Sequence, residues 1–422
     1  MTTTAPAGAL APFRLRTFRF QWMADLSTSW AFEMETIMLS WFILVETQSV
    51  LLLALFASTQ YIGTLFSPVF GVMGHRLGNK RVYCTMRACY TALAAIMMLL
   101  VLSDALTPLY VFIISSLMGL VRPSDLVLRY SLIGETMPSA DLMAATSVSR
   151  TTQDSARVMG ALAGAGIVAT LGMGIAYIAV TLLYAASFML SLQVGNVAGA
   201  HASKYSGDTG GVQPLSLWLD LRDGAIHVWH SPQLLAAMLL ALLVNFTAFP
   251  LTNGLMPYVA KEVYFTDQTG LGYLTAGFAF GALTGSIFLS RFGQALPPAR
   301  MMVGFCGMWY LMLLIFAYMP GMVSGIFLLI LAGCSQSLGM VPMSAMLLRN
   351  AEPRYRGHVM GMRMLMIYSL PFGLMIAGQL INLTSYRTTA VLYCVFGIIF
   401  TVWIGLRWRK HIWGREAPAN LR

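Results

Sequence analysis

Charge is scarce in this sequence of 422 residues: Asp, Glu, Lys and Arg make up 10% of it, against 58% hydrophobic residues. A soluble domain of this length with so few charges would expose large apolar patches, so lipid is the expected solvent for most of its surface. A mean hydropathy of +0.71 agrees. Cysteine is scarce too. Cys84, Cys89, Cys306, Cys334 and Cys394 stand singly, with no CxxC pair and no His cluster, which argues against a disulfide framework or a metal site. The absence of a Walker loop, a nucleophile–base set or a zinc motif leaves no ground for an enzyme or an ATP-driven pump, and no cofactor is expected. The start, through Met1, Ala5 and Pro12, lacks the basic region, short apolar stretch and cleavage site of a secretory signal. Acidic residues number 16 against 26 basic ones, a net charge of +10. The basic residues sit in short loops between apolar runs rather than in one basic face, so the excess reads as a topology signal and not as a nucleic-acid surface.

What is present is a series of apolar runs. About 20 apolar residues cross a bilayer as a helix, and runs of that length start near Phe20, Val50, Arg81, Pro108, Asp141 and Gly172, then near Gln233, Gly270, Arg300, Gly321, His358 and Thr388. Twelve spans in two sets of six are therefore expected. The polar stretch 195–232, with His201, Lys204, Gly207, Asp208, Gly210 and Gly211, is the expected cytoplasmic linker between bundles at 20–194 and 233–408. Tails at 1–19 and 409–422 complete the division. With the N-terminus inside, the inner loops and tails hold Arg14, Arg16, Arg19, Arg76, Lys80, Arg81, Arg87, Arg291, Arg300, Arg349, Arg354, Arg356, Arg407, Arg409 and Lys410, among others. The outer loops hold only Lys261 and Arg387, which places both termini in the cytoplasm.

One loop repeats. Between the second and third spans the chain reads Gly71-Val-Met-Gly-His75-Arg76-Leu-Gly78-Asn-Lys80-Arg81, and between the eighth and ninth Ser286-Ile-Phe-Leu-Ser290-Arg291-Phe-Gly293. Parallel duplication of a six-helix unit is a known transporter plan, with substrate bound near the midplane between the halves. The loop resembles the GxxxDRxGRR signature of the major facilitator superfamily: Gly71, Arg76, Gly78 and Lys80 match, while His75 replaces the acidic residue that helps latch the outward-open state in that family. Further segments resemble the branch that includes enterobactin and macrolide exporters. Trp41 through Glu46-Thr47-Gln48-Ser49 is similar to its WLVxxLTxS ending. Pro123 through Met137-Pro138, then Leu142, Ala145, Gly160 and Gly164, is similar to its fourth and fifth helices, and Arg354-Tyr-Arg356-Gly357-His-Val-Met-Gly361 to the RGRVMG start of its eleventh. The Gly-Pro pair of many antiporters is missing, since Ala161 follows Gly160.

Ionisable groups at bilayer depth cost at least about 2.5 kcal/mol on insertion scales, so each needs a partner, a wet cavity or a function. The first span carries Asp25, Glu33 and Glu35. A carboxyl taken out of water holds its proton more readily, which suits proton coupling. Glu33 and Glu35 point about 160° apart, so one is expected to line the pathway and the other to pair with a neighbouring helix. Arg122, Asp125 and Arg129 share a face of the fourth span, and Arg150, Asp154 and Arg157 a face of the fifth. These six leave a surplus of two positive charges. Arg129 and Arg150 are expected to snorkel at the cytoplasmic interface, with Arg122 and Arg157, supported by Asp125 and Asp154, contacting an anionic substrate. The second half offers mainly Asn245 and Gln336 as polar contacts, and Gly277, Gly281 and Gly285 as a close-packing face.

The resulting expectation is an all-α membrane protein with twelve helices in two parallel-related six-helix bundles. It is expected to act as a proton-coupled exporter of a small amphipathic or anionic compound in a bacterial inner membrane, with the small-molecule substrate, protons and membrane lipids as partners. A monomer is the family's expectation. The alternatives are an importer or symporter of an organic acid or other nutrient, and a non-transporting receptor or assembly factor on a transporter fold.

Overall fold

The computed structural model describes residues 11–66, 77–138, 141–195, 226, 228–292, 297–350 and 356–413. Most of the expected linker 195–232, the chain ends, Gly71, His75, Arg76 and Gly293 lie outside the described residues. Among the described residues the structure is helical: α1 (Arg16–Thr47), α2 (Val50–Thr59), α3 (Asn79–Leu102), α4 (Pro108–Thr136), α5 (Leu142–Leu192), α6 (Pro232–Phe249), α7 (Gln268–Phe292), α8 (Pro298–Phe316), α9 (Met322–Asn350), α10 (Arg356–Met366), α11 (Ser369–Leu383) and α12 (Tyr386–Arg407). Short turns at Ala11–Arg14, Ile62–Phe66 and Arg409–Ile412 flank them, and α6 runs on through Pro250–Gly254, Met256–Tyr258 and Val259–Val263.

Eight of the helices are long and apolar enough to cross a membrane, and Val50–Thr64 and Pro108–Arg122 are shorter apolar pieces. One of the eight, Ala144–Leu192, has 49 residues, enough for two crossings at about 20 residues each. It is divided at Gly172, whose φ of 82° and ψ of 169° no L side chain adopts readily. Gly78 stands ahead of α3 at φ 88°, so the loop motif needs glycine there for its backbone conformation. The motif-like Thr47-Gln48-Ser49 also has a local cause. Gln48 ends α1 in the left-handed region, and the Ser49 hydroxyl accepts from the Leu52 N–H to start α2.

Two compact units emerge. The first holds α1–α5 with residues 257–276; the second holds α6, the remainder of α7 and α8–α12. In the first, Met34, Met38, Tyr90, Ala94, Val111, Met118, Tyr177 and Tyr184 form a core between α1, α3, α4 and α5. Gly160 and Gly164 let α5 approach α1, where an added Cβ would stand 2.7 Å from Glu33 Cβ and 2.8 Å from Met34 Cα. In the second unit the glycine face packs α7 on α9. A Cβ at Gly277 would lie 3.0 Å from Ile326, one at Gly285 2.8 Å from the Cys334 carbonyl, and one at Gly281 would run into the Ile330 backbone. Backbone cannot turn aside as a side chain can. Gly281→Leu is therefore expected to separate α7 from α9 at a cost of about 1–3 kcal/mol, read as a lowered unfolding midpoint of the detergent-purified protein. Gly304→Ala, where nothing lies within 4 Å, should leave the midpoint in place.

Candidate functional site

The charged groups of the first unit sort themselves by partner. Asp25 of α1, Arg87 of α3, and Asp125 and Arg129 of α4 meet in one buried cluster. Arg87 Nη2 lies 2.6 Å from Asp25 Oδ1 and 2.7 Å from Asp125 Oδ1. Arg129 reaches Asp125 Oδ2 through Nη2 at 2.8 Å and Asp25 Oδ2 through Nε at 3.5 Å. The Tyr83 hydroxyl donates to Asp25 Oδ1 at 2.6 Å, and Gln21 Nε2 donates to the Arg129 carbonyl at 3.0 Å. Two cations and two carboxylates cancel, which is how four charges remain away from water.

This cluster corrects two sequence expectations. Arg87 is not a loop cation marking the cytoplasmic side: it stands two turns inside α3 with a side chain 1% exposed. Arg129 does not snorkel, since its side chain is 2% exposed and is held between two carboxylates. Arg150, 59% exposed and 3.6 Å from Asp154, does reach outward.

Glu33 and Glu35 diverge as their spacing requires. Glu33 lies 3.6 Å from Arg157 of α5. Glu35 turns the other way and is buried, its Oε1 accepting from the Tyr177 hydroxyl at 3.3 Å and its Oε2 from Tyr184 at 3.0 Å. Tyr184 is in turn stacked on Tyr90, centroids 5.7 Å apart. Among the described residues no cation pairs with Glu35.

Arg122 is its counterpart. Its guanidinium lies over the Phe32 ring, 3.6 Å from the centroid, and donates to Gln60 Oε1 at 2.9 Å, with no carboxylate partner among the described residues. Phe32, Glu35, Thr36, Gln60, Ser115 and Arg122 line one small cavity of about 20 Å³, room for a water molecule. The expected surplus of two positive charges therefore disappears. Arg87, Arg122, Arg129, Arg150 and Arg157 face Asp25, Glu33, Glu35, Asp125 and Asp154, five against five, and of these Arg122 and Glu35 are left outside an ion pair among the described residues.

The second unit has little charge to arrange. Asn245 is buried and donates to the Ala241 carbonyl of its own helix at 2.8 Å. Gln336 is buried on α9, and Thr247 and Tyr310 share a hydrogen bond of 2.7 Å beside Trp309. Lys80 lies in the first turn of α3. Sequence reasoning missed Arg87, Gln60 and the tyrosines. The spacings Tyr83/Arg87 and Tyr177/Tyr184, four and seven residues along one helix face, were the available signals.

The sequence pattern of the Major Facilitator Superfamily matches residues 22–371 and, in a second overlapping match, 238–419. No curated protein sequence is similar enough to count as a relative. Solved structures share the fold. The nucleoside transporter NupG, in a point-mutant form, superposes with a TM-score of 0.71 at 15% identity, over 93% of this chain and 100% of that one. A bacterial homolog of the human lysosomal transporter Spinster, inward-facing and unoccupied, gives 0.73 at 14% identity, over 97% and 99%. A D-xylose–proton symporter gives 0.68 at 11% identity, over 92% and 96%.

Proposed function

The chain belongs to the Major Facilitator Superfamily, a family of membrane transporters rather than enzymes, and from that premise we propose that it is a secondary transporter carrying a small organic anion together with a proton. The observation that carries this reading is the pair left over from the charge pairing. Glu35 has no cation and Arg122 no carboxylate among the described residues, yet they line one cavity. While Glu35 is a carboxylate, the pair is neutral, and an anion that reaches Arg122 once the cavity, here only of water size, has opened meets a negative neighbour. With a proton on Glu35, the pocket carries the single positive charge of Arg122. Proton and anion therefore favour each other's binding, and the linkage is reciprocal. Ligands that load together travel together, so an inward proton gradient would draw the anion in. In a bacterial inner membrane, proposed here as its location, the proton gradient points into the cytoplasm.

Here Arg157 is held by Glu33 and Arg122 alone contacts the anion. A hydrogen bond to a charged group contributes about 1.5–3 kcal/mol. Arg122→Gln is thus expected to raise the KM for the transported anion by roughly ten- to a hundredfold, while Arg122→Lys, which keeps the charge but loses the planar stack on Phe32, recovers part of it.

A second reading, export by antiport, rests on the resemblance of Trp41–Ser49 and Arg354–Gly361 to the enterobactin and macrolide exporters. It requires proton and substrate to exclude one another, and the missing proline after Gly160 weighs against it. Mass spectrometry of medium and cell extract from hosts with and without the gene separates the two. An anionic compound left unconsumed by the deletion strain supports uptake. A compound lost from its medium and accumulating inside its cells would establish export instead.

A further inference from the structure

The described residues of the second unit contain no Asp or Glu at all, yet most of its cations gather at one end, Arg387 standing at the other. The short helical turn Arg409–Ile412 that follows α12 is docked rather than loose. Ile412 is buried, Gln233 of α6 donates to the His411 carbonyl at 3.1 Å, and Arg300 of α8 donates to the Trp413 carbonyl at 2.9 Å. Asn350 at the end of α9 holds Gln233 through a bond of 2.6 Å. The ends of four helices thus fix a platform that presents Arg407, Arg409, Lys410 and His411, all exposed. Tryptophan is interleaved: the Arg300 and Arg407 guanidinium groups lie 5.9 and 5.8 Å from the Trp413 and Trp408 rings, and Trp403 meets Trp408 edge-on at 5.6 Å. The Arg300 Nε is buried and has no acceptor among the described residues.

We propose that this platform is a binding site for the headgroups of anionic phospholipids in the adjacent leaflet. Charge complementarity selects the occupant. Several cations with no carboxylate beside them among the described residues leave N–H donors for phosphate oxygens, and tryptophan at the end of a membrane helix seats at headgroup depth. The same cations were read in the sequence only as topology signals; the docking of their turn through its backbone carbonyls makes them a preorganised surface. That the leaflet is the cytoplasmic one rests on the orientation proposed above.

The test is native mass spectrometry of the detergent-purified protein mixed with equal amounts of phosphatidylglycerol, cardiolipin and phosphatidylethanolamine. The wild type should retain the two anionic lipids at least tenfold more than the zwitterionic one, and the triple variant Arg407→Gln/Arg409→Gln/Lys410→Gln should lose that preference. Arg387→Gln, at the other end of α12, should keep it. Equal retention of all three lipids by the wild type, a readout that needs no variant, would overturn the proposal, as would an unchanged preference in a folded triple variant. Competition by inorganic phosphate as strong as that by lipid would assign the site to a soluble anion and overturn it equally. Lipid preference and transport are read separately, so failure of either leaves the other standing.

Discussion

Glu35→Gln is expected to leave the protein folded and able to exchange its substrate across the membrane, but unable to accumulate it. Glutamine keeps an acceptor for Tyr177 and Tyr184, so the buried hydrogen bonds that hold the side chain survive in part. What it lacks is a proton to gain or lose. In the wild type, a proton moving with a monovalent anion is electroneutral. Each pH unit across the membrane supplies about 1.4 kcal/mol and so supports about a tenfold accumulation. In Glu35→Gln that dependence should vanish, while counterflow of labelled against unlabelled compound at equal pH stays within a few-fold of wild type. Glu33→Gln is the informative control. It releases Arg157 and should alter affinity, yet accumulation should still follow the pH gradient. If both glutamine variants accumulated substrate normally, neither carboxyl would be the proton carrier.

The second large effect is on stability. Arg87→Gln removes the cation that touches both Asp25 and Asp125, leaving two carboxylates with Arg129 alone in a buried site. Breaking a buried ion pair by removing one partner costs about 3–5 kcal/mol, because the charge left behind is no longer compensated. The expected result is a sharp loss of folded protein in detergent and a lowered unfolding midpoint. Arg87→Gln/Asp25→Asn restores charge balance and leaves the Arg129–Asp125 pair, so it should be more stable than Arg87→Gln alone. The sign of that difference is the test: if the double variant were less stable by the sum of the two single losses, the cluster would not be a coupled set.

The helices were readable because the length of an apolar run reports bilayer thickness directly, and the break at Gly172 was readable because glycine marks the conformation it permits. The packing of Gly277, Gly281 and Gly285 followed from a spacing of four. The divergence of Glu33 and Glu35 followed from helix geometry too, but which one met a cation did not. That depends on how α1 is rotated against α3 and α5, which no local pattern encodes. Arg87 shows the other limit. It follows Lys80 and Arg81 closely, so it reads as the edge of a basic loop, while α3 already begins at Asn79 and carries it inside. The charge surplus inferred from α4 and α5 failed for the same reason. Its missing anions lie on α1, whose own charged residues are met far earlier in the chain.

The direct measurement is the pH of an unbuffered, de-energised suspension of cells producing the chain, on addition of the anion identified by the medium comparison. Co-transport through Glu35 and Arg122 predicts a transient alkalinisation as protons enter with the anion, present in wild type and absent in Glu35→Gln. Acidification on addition would mean that proton and substrate move in opposite directions, and would contradict the co-transport reading.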